Sequence, residues 1–131
     1  MLALIAFCLL SQEIGSSDVR AIVAKAEGET LKEKALNGVH EVCKQVCQQI
    51  QDSKLVTASN KKKVEDSFNE VADLIQICKK KKNADSYSDV IGKMSFYFRI
   101  IVRNVPNQTY SGMKAEALRN ACYQALDSAR K

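Results

Sequence analysis

The stretch Val39-His40-Glu41-Val42-Cys43-Lys44-Gln45-Val46-Cys47-Gln48-Gln49-Ile50 constrains the fold more than any other part of the chain. Val39, Val42, Cys43, Val46, Cys47 and Ile50 recur at three- and four-residue steps, which places them on one face of an α-helix and turns Glu41, Lys44, Gln48 and Gln49 to water. Two cysteines therefore sit one turn apart on a buried face. Neighbours on one rigid helix have Cβ atoms too far apart to bridge readily, so each thiol is expected to pair with a cysteine on a different helix. The later chain supplies Cys78 and Cys122. Four cysteines leave three pairings open.

With 131 residues the chain is expected to form one domain around one core. A single proline, five glycines and no tryptophan favour helices over a turn-rich β architecture. The formal net charge of +5 supports solubility and some attraction to acidic surfaces without specifying nucleic acid as a partner. Met1 to Leu10 is an apolar run of the length of a signal-peptide h-region, shorter than the roughly 18 residues a membrane span needs. Gly15-Ser16-Ser17 offers small residues before a cleavage point at Asp18. The expected organisation is a signal peptide over 1–17 and one secreted domain over 18–131; the competing reading is a buried N-terminal helix of a cytosolic protein. Cleavage would remove Cys8 and leave an even number of cysteines, which suits an oxidising compartment. Asn107-Gln108-Thr109 is a sequon for N-glycosylation at Asn107, in keeping with secretion.

From Ser17 onward the chain reads as helix after helix. Asp18 is the expected cap of a short one carrying Val19, Ile22, Val23 and Ala26, weakened by Gly28. A longer one carries Leu31, Ala35, Leu36, Val39, Cys43, Cys47 and Ile50, and ends at Asp52-Ser53. Thr57 or Ser59 caps a third, with Val64, Phe68, Val71, Ala72, Ile75 and Cys78 inward and Lys79 to Lys82 at its negative end. Asp85 or Ser86 opens a fourth, which holds Tyr87, Val90, Ile91, Met94, Tyr97, Phe98 and Ile101 and stops before Pro106. Ser111 caps the last, with Ala115, Leu118, Ala121, Cys122, Ala125 and Leu126. Short connections make successive helices antiparallel, so the expected fold is all-α, an up-and-down bundle of four to five helices stapled by two disulfides.

Catalytic chemistry is not expected. His40 is the sole histidine, and nothing in the sequence sets a carboxylate or hydroxyl beside it as general-base chemistry requires. His40 with Cys43 and Cys47 matches no closed zinc-site spacing, and glycine-rich phosphate loops are missing, so neither a metal nor a cofactor is expected. Lys61-Lys62-Lys63 and Lys79 to Lys82 bracket one helix without interleaved aromatics, which reads as solvated charge rather than a binding strip.

The order from Glu33 onward resembles the N-terminal domain of spider silk proteins (spidroins). The residues that carry the resemblance are Gln51-Asp52-Ser53-Lys54-Leu55-Val56-Thr57 after a cysteine-bearing helix, Val64 to Ile75, Ser86 to Ile101, and Met113-Lys114-Ala115-Glu116-Ala117-Leu118-Arg119-Asn120-Ala121-Cys122-Tyr123-Gln124. The resemblance implies a secreted helical bundle with one cysteine in its first helix and one in its fourth, at the places of Cys47 and Cys122. It thereby implies a bridge between those two and, from it, one between Cys43 and Cys78.

Two functions are expected from different classes. The first is a secreted, non-enzymatic assembly domain. It forms a homodimer, alone or with silk or other secreted structural proteins, through an apolar helix face at Phe96, Ile100 and Val102. The second is an extracellular carrier holding a small apolar ligand among Phe68, Tyr87, Met94, Tyr97 and Phe98. A membrane-active helical protein ranks third, and neither a membrane nor a specific nucleic acid is an expected partner.

Overall fold

Each amphipathic run of the sequence forms one helix. The computed structural model describes residues 14–80, 83–105 and 113–129. Its helices are α1 (Ser16–Lys25), α2 (Leu31–Asp52), α3 (Ala58–Lys80), α4 (Ala84–Arg103) and α5 (Met113–Ser128), and no strand occurs among the described residues. The apolar run Met1 to Leu10, Lys81 and Lys82, the Pro106 stop, the Asn107 sequon and the Ser111 cap all lie outside the described residues.

Helix α2 starts at Thr30, whose side-chain oxygen accepts the Glu33 amide at 3.1 Å, while the Glu33 carboxylate accepts the Glu29 amide at 3.0 Å. It buries Leu36, Val39, Val42, Cys43, Val46, Cys47 and Ile50 of the face set out by the sequence and ends at Asp52 with Ser53 as its C-cap, but Leu31, expected on that face, stands 78 % exposed at its first position. Gln51 at that end exchanges two bonds with the first turn of α3. Its amide donates to the Lys61 carbonyl at 3.0 Å, and Lys61 Nζ donates to the Gln51 carbonyl at 2.7 Å. Lys61 is thus a structural cation on the negative end of α2 rather than part of a solvated run. Lys62 pairs with Asp66 at 3.2 Å in the open, where the gain is small.

Caps differ from expectation in two places. Asp18 is not the cap of α1 but its third residue, reaching back to accept the Gly15 amide at 2.8 Å, with Gly15 as the N-cap. Asn83, rather than Asp85 or Ser86, caps α4, its side chain accepting both of their amides at 2.7 and 3.3 Å. Thr57 caps α3, accepting the Asn60 amide at 3.2 Å. Helix α1 stops at Lys25, and Gly28 sits in the connection at φ 151°, where a Cβ would come within 2.8 Å of the Glu33 Cβ.

Where α2 meets α3 and α4 meets α5, the late part of one helix lies against the early part of the other, which makes these successive helices antiparallel. Gln51 meets Lys61, Tyr87 meets Leu126, and Ser95 meets Arg119. Helix α1 packs on both α2 and α5, so the bundle closes on itself; α4 packs on α3 and α5, and lightly on α2. Gly38 permits the α1–α2 approach, since a Cβ there would lie 2.7 Å from the Val23 Cα. Ile14, 7 % exposed, already belongs to the core. A chain starting at Asp18 would therefore lack that contact and the Gly15 cap.

The core forms without disulfides. Cys43, Cys47, Cys78 and Cys122 are all buried, yet no two of these four lie at disulfide distance, which corrects both expected bridges. The reason is how the helices are turned. Beside burial, Cys43 is influenced by Cys122 and Cys47 and not by Cys78, while Cys78 is near enough to Tyr87, where the chain turns from α3 into α4, to help raise its phenol pKa. Cys43 and Cys122 face a common void, an arrangement opposite to the expected pairing of Cys47 with Cys122. As thiols they behave as small apolar groups: burial pushes Cys43 well above the usual thiol range and raises Cys47 and Cys122 to about 12.

Candidate interaction surface on α4

Helix α4 is apolar over most of its circumference because three helices surround it. Tyr87, Ile91, Met94, Phe98 and Ile101 are core residues. Tyr87 donates its hydroxyl proton to the Leu126 carbonyl at 2.7 Å, tying the start of α4 to the end of α5, and Lys32 lies 5.1 Å over its ring. Burial raises the phenol pKa beyond the normal tyrosine range, so the hydroxyl remains a donor.

The three residues expected to form one exposed patch are separated by the structure. Val102 is 5 % exposed and belongs to the core, because α4 is covered on that side; Ile100 is half-buried; Phe96 alone stands out, at 61 % exposure. The ring of Tyr97 meets Phe96 edge-on, with centroids 5.3 Å apart, and braces it. Around Phe96 the outer stripe of α4 carries Asp89, Gly92, Lys93, Arg99 and Arg103, all exposed. A Cβ at Gly92 would meet nothing within 4 Å.

Helix α5 frames one side of this stripe. Arg119 donates to Glu116 twice, at 2.7 and 3.1 Å, and once to the Ser95 hydroxyl at 2.7 Å. The Arg119 hydrogen bond holds the Glu116 carboxyl below its usual range, with Arg99 and Arg103 adding to the effect. These polar partners of the stripe were not expected from the sequence. An i, i+3 Glu–Arg pair in the last helix was the available signal.

The residues expected around an apolar ligand do not gather round one cavity. Tyr87, Met94 and Phe98 are packed in the core, while Phe68 and Tyr97 are half-buried at its margin. Phe68 stacks obliquely on His40, with centroids 5.3 Å apart, and burial lowers the His40 pKa. The void that Phe98 borders, with Cys43, Val102 and Cys122, measures about 10 Å³, at most the room of one water. A wider, open groove of about 880 Å³ runs between α1, α2 and α5 over Val19, Val23, Ala35, Ala121 and Ala125.

Among the described residues no group of three or more His, Cys, Asp or Glu could hold a metal ion, and no helix is long and apolar enough to cross a membrane. Comparison of the chain with protein-family models, curated proteins and solved structures found no match.

Proposed function

We propose that this chain is a secreted, non-enzymatic interaction domain, of the kind its likeness to silk-protein N-terminal domains implies, and that it self-associates through the outer face of α4. The observation that carries the reading is Phe96, 61 % exposed in the middle of a helix whose other aromatic residues are packed inward or braced at its side. A large exposed aromatic ringed by polar groups is the usual anatomy of a contact surface. Covering 61 % of a side chain of roughly 200 Å² removes about 120 Å² from water per copy, or about 3 kcal/mol, and twice that for a symmetric pair. Association costs several kcal/mol in lost freedom, so this face supports a weak or moderate homodimer rather than a permanent one.

The test is Phe96→Glu, followed by sedimentation velocity across a concentration series. The wild-type chain is expected to pass from monomer to dimer with rising concentration and the variant to remain monomeric with unchanged helix content. A wild-type chain that stays monomeric at high concentration over a wide pH range, or a variant that dimerises equally well, overturns the reading.

A further inference from the structure

The charges along α4 are arranged symmetrically about Phe96. Asp89 lies seven residues before it and Arg103 seven residues after it, both exposed. Seven residues are close to two full turns, so all three share one stripe, with each charge about 10.5 Å along the axis from the ring. A helix with this pattern is complementary to its own reverse. When two copies of α4 lie antiparallel with their Phe96 rings on the two-fold axis, Asp89 of each copy comes opposite Arg103 of the other, and the pairing occurs twice.

We infer that the partner of this face is a second copy of the same chain, docked α4 to α4 in the antiparallel register centred on Phe96. The inference rests on the reading of the face as a self-association surface. The remaining groups on the stripe fit this register. Lys93 and Arg99 lie three residues to either side of Phe96, turned about 60° from the stripe, and in the antiparallel pair they fall on opposite flanks instead of facing each other. Gly92 has open space where its Cβ would be and thins the flank on which the other copy's Arg99 lies. Glu116 is held by two bonds from Arg119, which leaves Asp89 as the carboxylate of the stripe best placed for Arg103 across the axis. A parallel pairing would set Asp89 against Asp89 and Arg103 against Arg103, so the same charges exclude that alternative.

Charge reversal tests the register. Asp89→Arg places two arginines opposite each other at both ends of the contact, and Arg103→Asp places two aspartates there. Each single variant is expected to associate at least tenfold more weakly than wild type in low salt, with unchanged circular dichroism. An equimolar mixture of the two restores both pairs, and so does the double variant Asp89→Arg/Arg103→Asp. Recovery to wild-type association in the mixture and in the double variant is the result expected. Single variants that dimerise like wild type, or a mixture that fails to recover, overturn the register. Phe96→Glu reads the face separately: loss of dimer there with indifferent charge variants leaves the face and removes the register, while indifference to Phe96→Glu removes both.

Discussion

Replacing Gly38 with alanine tests how closely α1 is seated on α2. The added Cβ would lie 2.7 Å from both the Cα and the Cγ2 of Val23 and 3.1 Å from its Cβ, where ordinary contact begins near 3.4 Å. The obstructing Cα is backbone and cannot swing aside, so α1 must retreat by roughly 0.7 Å along ten residues or tilt away. Overpacking of this type costs about 1–3 kcal/mol, while alanine in a helix interior is favoured over glycine by about 1 kcal/mol. Gly92→Ala gives the reference for the second effect, since its Cβ meets open space in α4. The difference between the two substitutions cancels propensity and isolates the contact. We expect Gly38→Ala to be less stable than Gly92→Ala by about 1–3 kcal/mol. Urea unfolding of both in the Phe96→Glu background keeps association out of the measurement, and equal m-values confirm that stability alone has changed. Native-state hydrogen exchange should show protection lost selectively in α1. If Gly38→Ala stabilises the protein as much as Gly92→Ala, the packing of α1 described here is wrong.

Two further outcomes follow from burial. Thiol reagents at mildly alkaline pH should modify Cys43, Cys47 and Cys122 only as fast as the protein unfolds, because burial raises all three pKa values; rapid labelling of the native chain, or a bridge among them in non-reducing peptide mapping, refutes the described thiol state. His40 has its folded pKa lowered from 6.5, chiefly by burial, with Lys44 and Lys79 reinforcing and Glu41 opposing. The unfolded state then takes up the proton first, so the His40 contribution is complete above about 6.5 and erodes as pH falls from there through the lowered folded value. His40→Gln should flatten that part of the stability–pH curve, and an unchanged slope would place the pH dependence elsewhere.

The five helices were legible because each carries its own period of apolar residues, and most of the inner faces of α2 and α3 emerged, save that Leu31 is exposed, Phe68 and Ala72 are half-buried and Ser67 is buried unexpectedly. Their caps were less so. Asp18 and Asp85 both follow a better-placed neighbour, and a sequence shows that several residues can cap without showing which amide each one reaches. The disulfides failed for a different reason. Periodicity fixes the side of a helix on which Cys43 or Cys78 lies, but the turn of each helix about its axis decides what it faces, and Cys78 sits near Tyr87 without another described thiol at bridging distance. The same limit applies to Val102. A wide apolar stripe signals either a surface patch or burial among several neighbours, and α4, held between α3 and α5, shows the second at Val102 and the first at Phe96.

The contact between α1 and α5 gives the bundle a particular order of assembly. Packing of α1 with α2, α2 with α3, α3 with α4 and α4 with α5 joins helices adjacent in sequence, and each such hairpin closes only a short loop. Seating α1 on α5 joins residues roughly 100 positions apart, and the entropy lost on closing a loop grows with the logarithm of its length. That closure is favourable only once the four hairpins have drawn the far ends together, so the chain can collapse locally and quickly while the α1–α5 seam closes late. Until then α1 rests on α2 alone, through Val23 against Gly38, and the α5 side of the groove stays open beside Val19 and Ala35. An α1–α2 pair still open to α5 can accept that helix from another copy, so crowded nascent chains would exchange at this seam before any other.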